Sequence, residues 1–280
     1  MPSSKDRTVV NVGLGLPVAD PDRLLDWARL SDAGPFSTLG LLDRLVYDNP
    51  EPMVTLAAIA GATTRIRVQT EVLLAPLRET ALLAKQAATL DRLSGGRFTL
   101  GIGVGGRADD HQAAGTDITT RGRRLDRQMA EMRRIWTTGD IGPEPCRPGG
   151  PEVLFGAFKP AAMARVARWG DGFLAAAPVE WCGGLFDTVR TSWAEAGRSG
   201  SPRLVAQVNV AVGPAEAEAR RNLSDYYGDQ AGWALDRLLT TPAQVRDVIN
   251  AFTDLGADEV MLYCWSPDTD QIARLADVVG

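Results

Sequence analysis

Three groups of residues have the types and spacing to do chemistry. Gly101, Gly103, Gly105 and Gly106 run through and past the end of an apolar stretch, RFTLGIGV. Missing side chains there let a flat ligand or a phosphate approach the backbone closely, although they also ease tight packing and turns. The pattern is not the dinucleotide-binding fingerprint, because the glycines lie within and just after an extended segment and do not open a helix. The second group is Asp43-Arg44, with Tyr47 and Asp48 nearby. Arg44 stays protonated at any working pH, so it cannot be a general base; it can hold an anion, stabilise developing negative charge, or pair with Asp43. The third group is Gly156-Ala157-Phe158-Lys159-Pro160. Proline suits the first position of a helix, helix N-termini attract anions, and Lys159 adds a charge. Asp109-Asp110-His111 contains the chain's one histidine. It lacks the spacing of a zinc or non-haem iron motif, so solvent-facing or helix-capping roles are expected and no metal site is. No Gly-x-Ser-x-Gly elbow, Walker loop or H-E-x-x-H motif is present, which leaves hydrolase and nucleotide-hydrolysing readings without support.

The elements that must carry these groups read as alternating strands and helices. IRVQTEVLL (Ile66–Leu74) is β-branched and mostly apolar, as a strand covered on both faces should be. From Arg78 to Leu93, Leu83, Ala87 and Leu90 fall on one helical stripe, and Ser94-Gly95-Gly96 stops it. Arg97–Val104 is the next strand, so the segment is a parallel crossover. Before it lie a strand at Val9–Leu16, a helix capped by Asp20-Pro21 and running to Gly34, a strand at Phe36–Leu42, and a helix over Met53–Ala62. After it come a helix over 119–137, then a Pro- and Gly-rich surface loop at 139–151. Strands follow at Val153–Gly156, Gly172–Ala177, Leu204–Val212 and Glu259–Trp265. Helices are expected at 160–169, around Trp181 to Trp193, over 214–239 with breaks at Gly228 and Gly232, from Thr241-Pro242 to about Leu255, and at the C-terminus. Eight strands alternating with helices point to a (β/α)8 barrel spanning 1–280 as one domain; a doubly wound open sheet fits the pattern alone.

The chain has 280 residues, 45% of them hydrophobic, enough for one such barrel. A net charge of −5 argues against nucleic acid as a partner. The arginines at 121, 123, 124, 127, 133 and 134 alternate with apolar residues at helical spacing and read mostly as a solvated face. Cys146, Cys182 and Cys264 lie outside any C-x-x-C pair and read as free thiols of a reducing compartment. Without a signal peptide or a membrane-length apolar run, a cytoplasmic location is expected.

The segments TTRIRVQT, LLAPLRETALLAKQAATLDRLSGGR, LGIGVGGR, RGRRLD with IW soon after, and WGDGF together resemble the luciferase-like monooxygenases, the flavin- and deazaflavin-dependent barrel enzymes related to bacterial luciferase. The resemblance covers well over half the chain in one order and favours the closed barrel. It implies an active site in the loops after the strands and a cis peptide at Glu71–Val72 that supports the cofactor ring. Glu71 would then face the cavity as a ring hydrogen-bond acceptor, acid or base. Arg44 stands where many deazaflavin-dependent relatives have a histidine, leaving Asp43 and Arg44 as catalytic candidates. Val104 stands where some relatives hold the flavin phosphate with arginine, with Gly105 beside it and Arg107 three residues on, and Gly106 stands where some keep a glutamate. The phosphate is expected on Arg123, Lys159 and the backbone of Gly156, Ala157 and Phe158. The cofactor implied is reduced FMN from a separate flavin reductase, used with O2 on an apolar or polycyclic organic substrate; F420-dependent hydride transfer, or a barrel that has lost its cofactor, are the alternatives. Tyr47, Phe158 and Trp265 would suit such a substrate. A homodimer through the helices after strands two and three is also implied, since Met53–Ala62 is apolar almost all round.

Overall fold

The computed structural model describes residues 10–18 and 20–280, apart from the side chains of Pro160 and Ala161. Strands β1 (Asn11–Gly15), β2 (Thr38–Leu41), β3 (Arg67–Thr70), β4 (Leu73–Leu74), β5 (Phe98–Gly103), β6 (Glu152–Gly156), β7 (Gly172–Ala175), β8 (Arg203–Val210) and β9 (Glu259–Cys264) form one parallel sheet in the order β3-β2-β1-β9-β8-β7-β6-β5-β4. Pairing of β3 with β5 closes it, and β3 and β4 are two halves of one stave, so the barrel has eight staves. The expected strand at 66–74 is therefore interrupted at Glu71-Val72, whose peptide is cis, as the resemblance implied. Val9, the expected first residue of β1, lies outside the described residues.

Helices α1 (Leu24–Ala33), α2 (Pro52–Ala62), α3 (Thr80–Leu93), α4 (Ala108–Ala113), α5 (Arg121–Thr138), α6 (Pro160–Trp169), α7 (Val179–Glu195), α8 (Glu216–Tyr227), α9 (Ala231–Leu235), α10 (Pro242–Asp254) and α11 (Asp270–Val279) pack around the sheet. α10 begins in the expected place because Thr241 and Gln244 form a reciprocal capping box. Asp20 makes no side-chain cap bond: Pro21–Arg23 is a short 3-10 turn, and α1 starts only at Leu24. α8 breaks at Gly228 as expected, whereas Gly232 lies inside α9. α4 is a helix the periodicity did not suggest, since six residues are too few to show an apolar stripe.

Side chains inside the barrel stack in layers, because alternate strand residues face inward. At the end where the strands begin, Arg203 bridges Glu152 and Glu259, and Arg67 donates to Glu152 and Thr99. Above this ionic plug sit Leu154, Leu174, Val205 and Met261, against Val72. The opposite end, where the strands finish, opens into a cavity.

Candidate active site

Glycine makes the open end roomy. Gly103 of β5 and Gly156 of β6 face Val72: a Cβ at Gly103 would come within 2.6 Å of Val72 Cγ2, and one at Gly156 within 3.0 Å of Cγ1. Val72 thus leans over two strands that have no side chain of their own at those positions. Above it opens a cavity of about 430 Å³. Its floor is Glu71, Val72 and the Gly103–Gly106 run, and its far wall is Phe155, Gly156, Ala157 and Phe158. Of the residues named from the sequence, Glu71, Val72, Val104, Gly105, Gly156, Ala157, Phe158 and Lys159 come together here.

Glu71 is 7% exposed. Its carboxyl lies across Gly40, where an added Cβ would meet the side chain at 2.4 Å. One oxygen accepts from Gln69 Nε2 at 2.5 Å, while Oε2 is buried without a partner among the described residues. Burial pushes its pKa up to about 8, against the opposing hydrogen bond from Gln69, with Glu259 adding repulsion. Glu71 is therefore a neutral carboxylic acid at pH 7. Tyr263 lies across Gly15, and Gly15 and Gly40 are partners in the β1–β2 register, so the phenol and the carboxyl are neighbours. The Tyr263 pKa is raised well above the usual phenol range, by burial first and then by Glu71.

The other end of the cavity is cationic. Arg121, at the start of α5, donates through Nη1 to the Ile118 carbonyl at 2.5 Å, and its Nε is buried without a partner among the described residues. Lys159 lines the same end, next to the N-terminus of α6, whose first-turn N–H groups attract an anion. Arg165 also lines it, but Asp126 engages its guanidinium at 2.8 and 3.0 Å. Arg123 is exposed on α5 and does not line the cavity; Arg121, two residues earlier, does.

The remaining expected residues are committed elsewhere. Asp43 is buried and accepts from Leu74 N at 2.8 Å and Arg78 Nη2 at 2.9 Å, tying β2 to β4. Burial raises its pKa against the pull of Arg78. Arg44 does not pair with Asp43. It donates to Asp110 at 2.6 Å and Asp109 at 3.0 Å, and Asp110 also accepts from the backbone of Leu45 and Val46. Asp110 and His111 are thus buried on α4, not solvent-facing, and Asp110 fastens the loop after β2. His111 contacts Thr116 Oγ1 and the Val104 carbonyl. Arg107 donates to the Tyr226 carbonyl and sits over the Tyr226 ring, away from the cavity. Tyr47 and Trp265 join Tyr226 and Tyr227 in an aromatic cluster beside it. Sequence reading missed Gln69, Arg121, Arg165, Gln207 and Tyr263. Alternation along β8 and β9 places Gln207 and Tyr263 inward once Arg203 and Glu259 are known to be, but the cavity-lining arginine on α5 cannot be chosen without the helix's phase.

The luciferase-like monooxygenase family matches residues 5–251. An uncharacterized protein of Mycobacterium tuberculosis is 30% identical over 170 residues, which covers 56% of this chain and 60% of that protein; the likeness thus spans less than two thirds of the relative's length. Among solved structures, an F420-dependent secondary alcohol dehydrogenase with an F420-acetone adduct superposes with a TM-score of 0.82 at 17% identity, covering 97% of this chain and 98% of that one. The oxygenating constituent of 3,6-diketocamphane monooxygenase from Pseudomonas putida, in complex with FMN, gives 0.71 at 17% identity, covering 97% and 96%. At such identities the two structures establish a shared fold. Among the described residues no group of His, Cys, Asp and Glu could hold a metal, and no helix is long and apolar enough to cross a membrane.

Proposed function

We propose that this chain, which belongs to the luciferase-like monooxygenase family, is a flavin-dependent enzyme that uses reduced FMN and O2 to oxygenate a small organic molecule. A separate reductase would supply the reduced flavin, and the setting would be the cytoplasm. The observation that carries this reading is one cavity with an apolar slot at one end and, at the other, Arg121 with an unsatisfied Nε beside Lys159. An isoalloxazine ring fits the slot over Val72, where the glycines leave the backbone bare. A phosphate fits the far end, where the Arg121 Nε lacks a partner and α6 begins beside Lys159. A helix terminus supplies only about half a charge, so the two cationic side chains complete the balance of a phosphate monoester.

Bound reduced flavin supplies the electrons and the reaction with O2. The protein's own part is position, polarity and protons. Val72 and the glycine strands set the depth of the ring, and Phe155 and Phe158 help exclude water. Glu71, neutral at pH 7, lines the slot and holds its proton on a carboxyl whose buried Oε2 has no partner among the described residues. It can give a hydrogen bond to a ring atom or release the proton as charge moves. Arg44, held by two aspartates, ties the loop after β2 to α4 and is not a base.

A second reading is hydride transfer with F420, favoured by the same neutral Glu71, since a carbonyl that receives hydride needs a proton donor nearby. Titrating the purified protein with FMN, reduced FMN, F420 and riboflavin under nitrogen decides between them. The first reading expects reduced FMN to bind tightest and riboflavin to lose at least about tenfold for want of charge-assisted hydrogen bonds to phosphate. Tighter F420 binding overturns it in favour of the second, and binding of none of them overturns both.

A further inference from the structure

A second chamber opens between the ends of β7 and β8 and the helices α7, α9 and α10, with a volume of about 270 Å³. It meets the cofactor cavity at Ala176 and Gln207, which line both. Building on the flavin reading above, we propose that this chamber seats the organic substrate, and that the substrate is a neutral ring compound carrying a carbonyl or hydroxyl oxygen.

The walls set the shape. Tyr227 and Trp233 present aromatic faces, and Val179, Val208, Leu239 and Val248 supply aliphatic ones. Trp233 is 40% exposed and lines the chamber, with the Arg237 guanidinium over its ring. The volume suits one or two fused rings. The polar groups set the chemistry. Asn209 has its Oδ1 taken by Trp265 Nε1 at 2.8 Å, which orients the amide and leaves Nδ2 to donate. The Gln207 amide has no hydrogen-bond partner among the described residues and stands at the junction. Two amide donors at the cofactor end and rings at the other hold an oxygen-bearing carbon toward the flavin cavity. Charge at the rim excludes anions: Glu180 and Asp236 face a single guanidinium, Arg237, which is itself occupied with the Trp233 carbonyl and ring. A carboxylate or phosphate substrate would meet net negative charge there.

Calorimetric titration of the full chain with 1-tetralone and with 1-naphthoate, a neutral and an anionic two-ring probe, tests the assignment. An eleven-atom probe of modest efficiency should bind 1-tetralone's site tighter than about 1 mM, and 1-naphthoate should bind at least about tenfold more weakly. Val248→Trp fills the chamber from its side remote from the flavin cavity and should weaken 1-tetralone at least about tenfold while leaving FMN affinity within about twofold. Gln207→Leu, which keeps the volume, should weaken it about two- to tenfold and covers the case in which the tryptophan variant does not fold. Binding of 1-tetralone weaker than about 1 mM, equal binding of the two probes, or equal 1-tetralone affinity in the wild type and every folded variant overturns the proposal. If the 1-tetralone pattern holds while neither FMN nor F420 binds, the chamber stands and the flavin reading falls.

Discussion

A carboxyl carried into a barrel interior must find a cation or give up its charge: Glu259 pairs with Arg203, and Glu71, which forms no ion pair among the described residues, gives up its charge. Unfolded, the group titrates near 4.5, and folded at about 8. Between those values the native chain holds a proton that the unfolded chain has lost, so stability falls as pH rises, by at most about 1.4 kcal/mol per unit, and levels off above the folded pKa. Urea unfolding of the cofactor-free protein and of Glu71→Gln should therefore show the wild type losing ground to the variant from about pH 5 to about pH 8. A gap that does not change over that range would mean that Glu71 is not held neutral. The cationic end makes a separate claim. Removing a charged donor to phosphate costs roughly 1.5–3 kcal/mol, so Arg121→Ala should weaken FMN about ten- to a hundredfold. Riboflavin should be nearly indifferent, and so should FMN to Arg123→Ala, whose side chain is exposed outside the cavity. Equal losses for FMN and riboflavin would move the phosphate elsewhere. That contrast also marks the limit of reading residues from sequence. Residues two apart on a helix point about 200° from each other, so the RGRRLD block names the helix beside the cavity but not which of its arginines lines it.

At the scale of elements, the barrel works because glycines on some strands leave room for large side chains from others. Gly13 and Gly15 on β1 lie under Met261 and Tyr263 of β9, and Gly40 on β2 lies under Glu71. These side chains cross the barrel only because the neighbouring strand has nothing to meet them. A Cβ at Gly15 would sit 2.0 Å from the Tyr263 ring, which is buried and cannot retreat. Gly15→Ala should thus destabilise by about 1–3 kcal/mol through overpacking. Gly184, exposed within α7 with nothing within 4 Å of an added Cβ, should behave oppositely, and Gly184→Ala should stabilise by about 0.5–1 kcal/mol. Thermal melts of the two variants check both signs, and a stable Gly15→Ala would refute the packing account. The elements themselves were legible in the sequence wherever burial imposes a period. Strands covered on both faces read as apolar runs, and α3 and α10 carry a stripe with an end signal. What escaped was short or aperiodic: the six residues of α4, and the phase of the chain either side of Glu71-Val72, where two residues drop out of the ladder.

Taken as a whole, the molecule leaves an apolar face of α2 and α3 uncovered among the described residues. Val54 on α2 is 69% exposed, and Leu82 and Leu93 on α3 are 55% and 63% exposed. They flank a groove floored by Met53, Ala57 and Leu90 and bordered by Lys85, Gln86 and Thr89. α2 is apolar nearly all round, and its inner side, through Met53, Leu56, Ile59 and Ala60, is used by the core. Composition alone singled out this helix, because a surface helix normally keeps a polar side. The sequence could not show that the outer faces of α2 and α3 adjoin, which depends on their packing side by side. Two such faces brought together by a two-fold axis would be self-complementary, with leucines in the groove and polar groups at the rim. The expected state is a homodimer. Light scattering at micromolar concentration should give twice the chain mass, and Val54→Lys with Leu93→Glu should give the single-chain mass with circular dichroism unchanged, since both side chains point to solvent in the lone chain. Because α2 and α3 lie on the barrel's flank and the cavity at the strand ends, FMN affinity in that variant should stay within about twofold, as expected for sites with no shared contacts. A wild-type chain that scatters as a monomer removes the dimer and leaves this face unexplained by it.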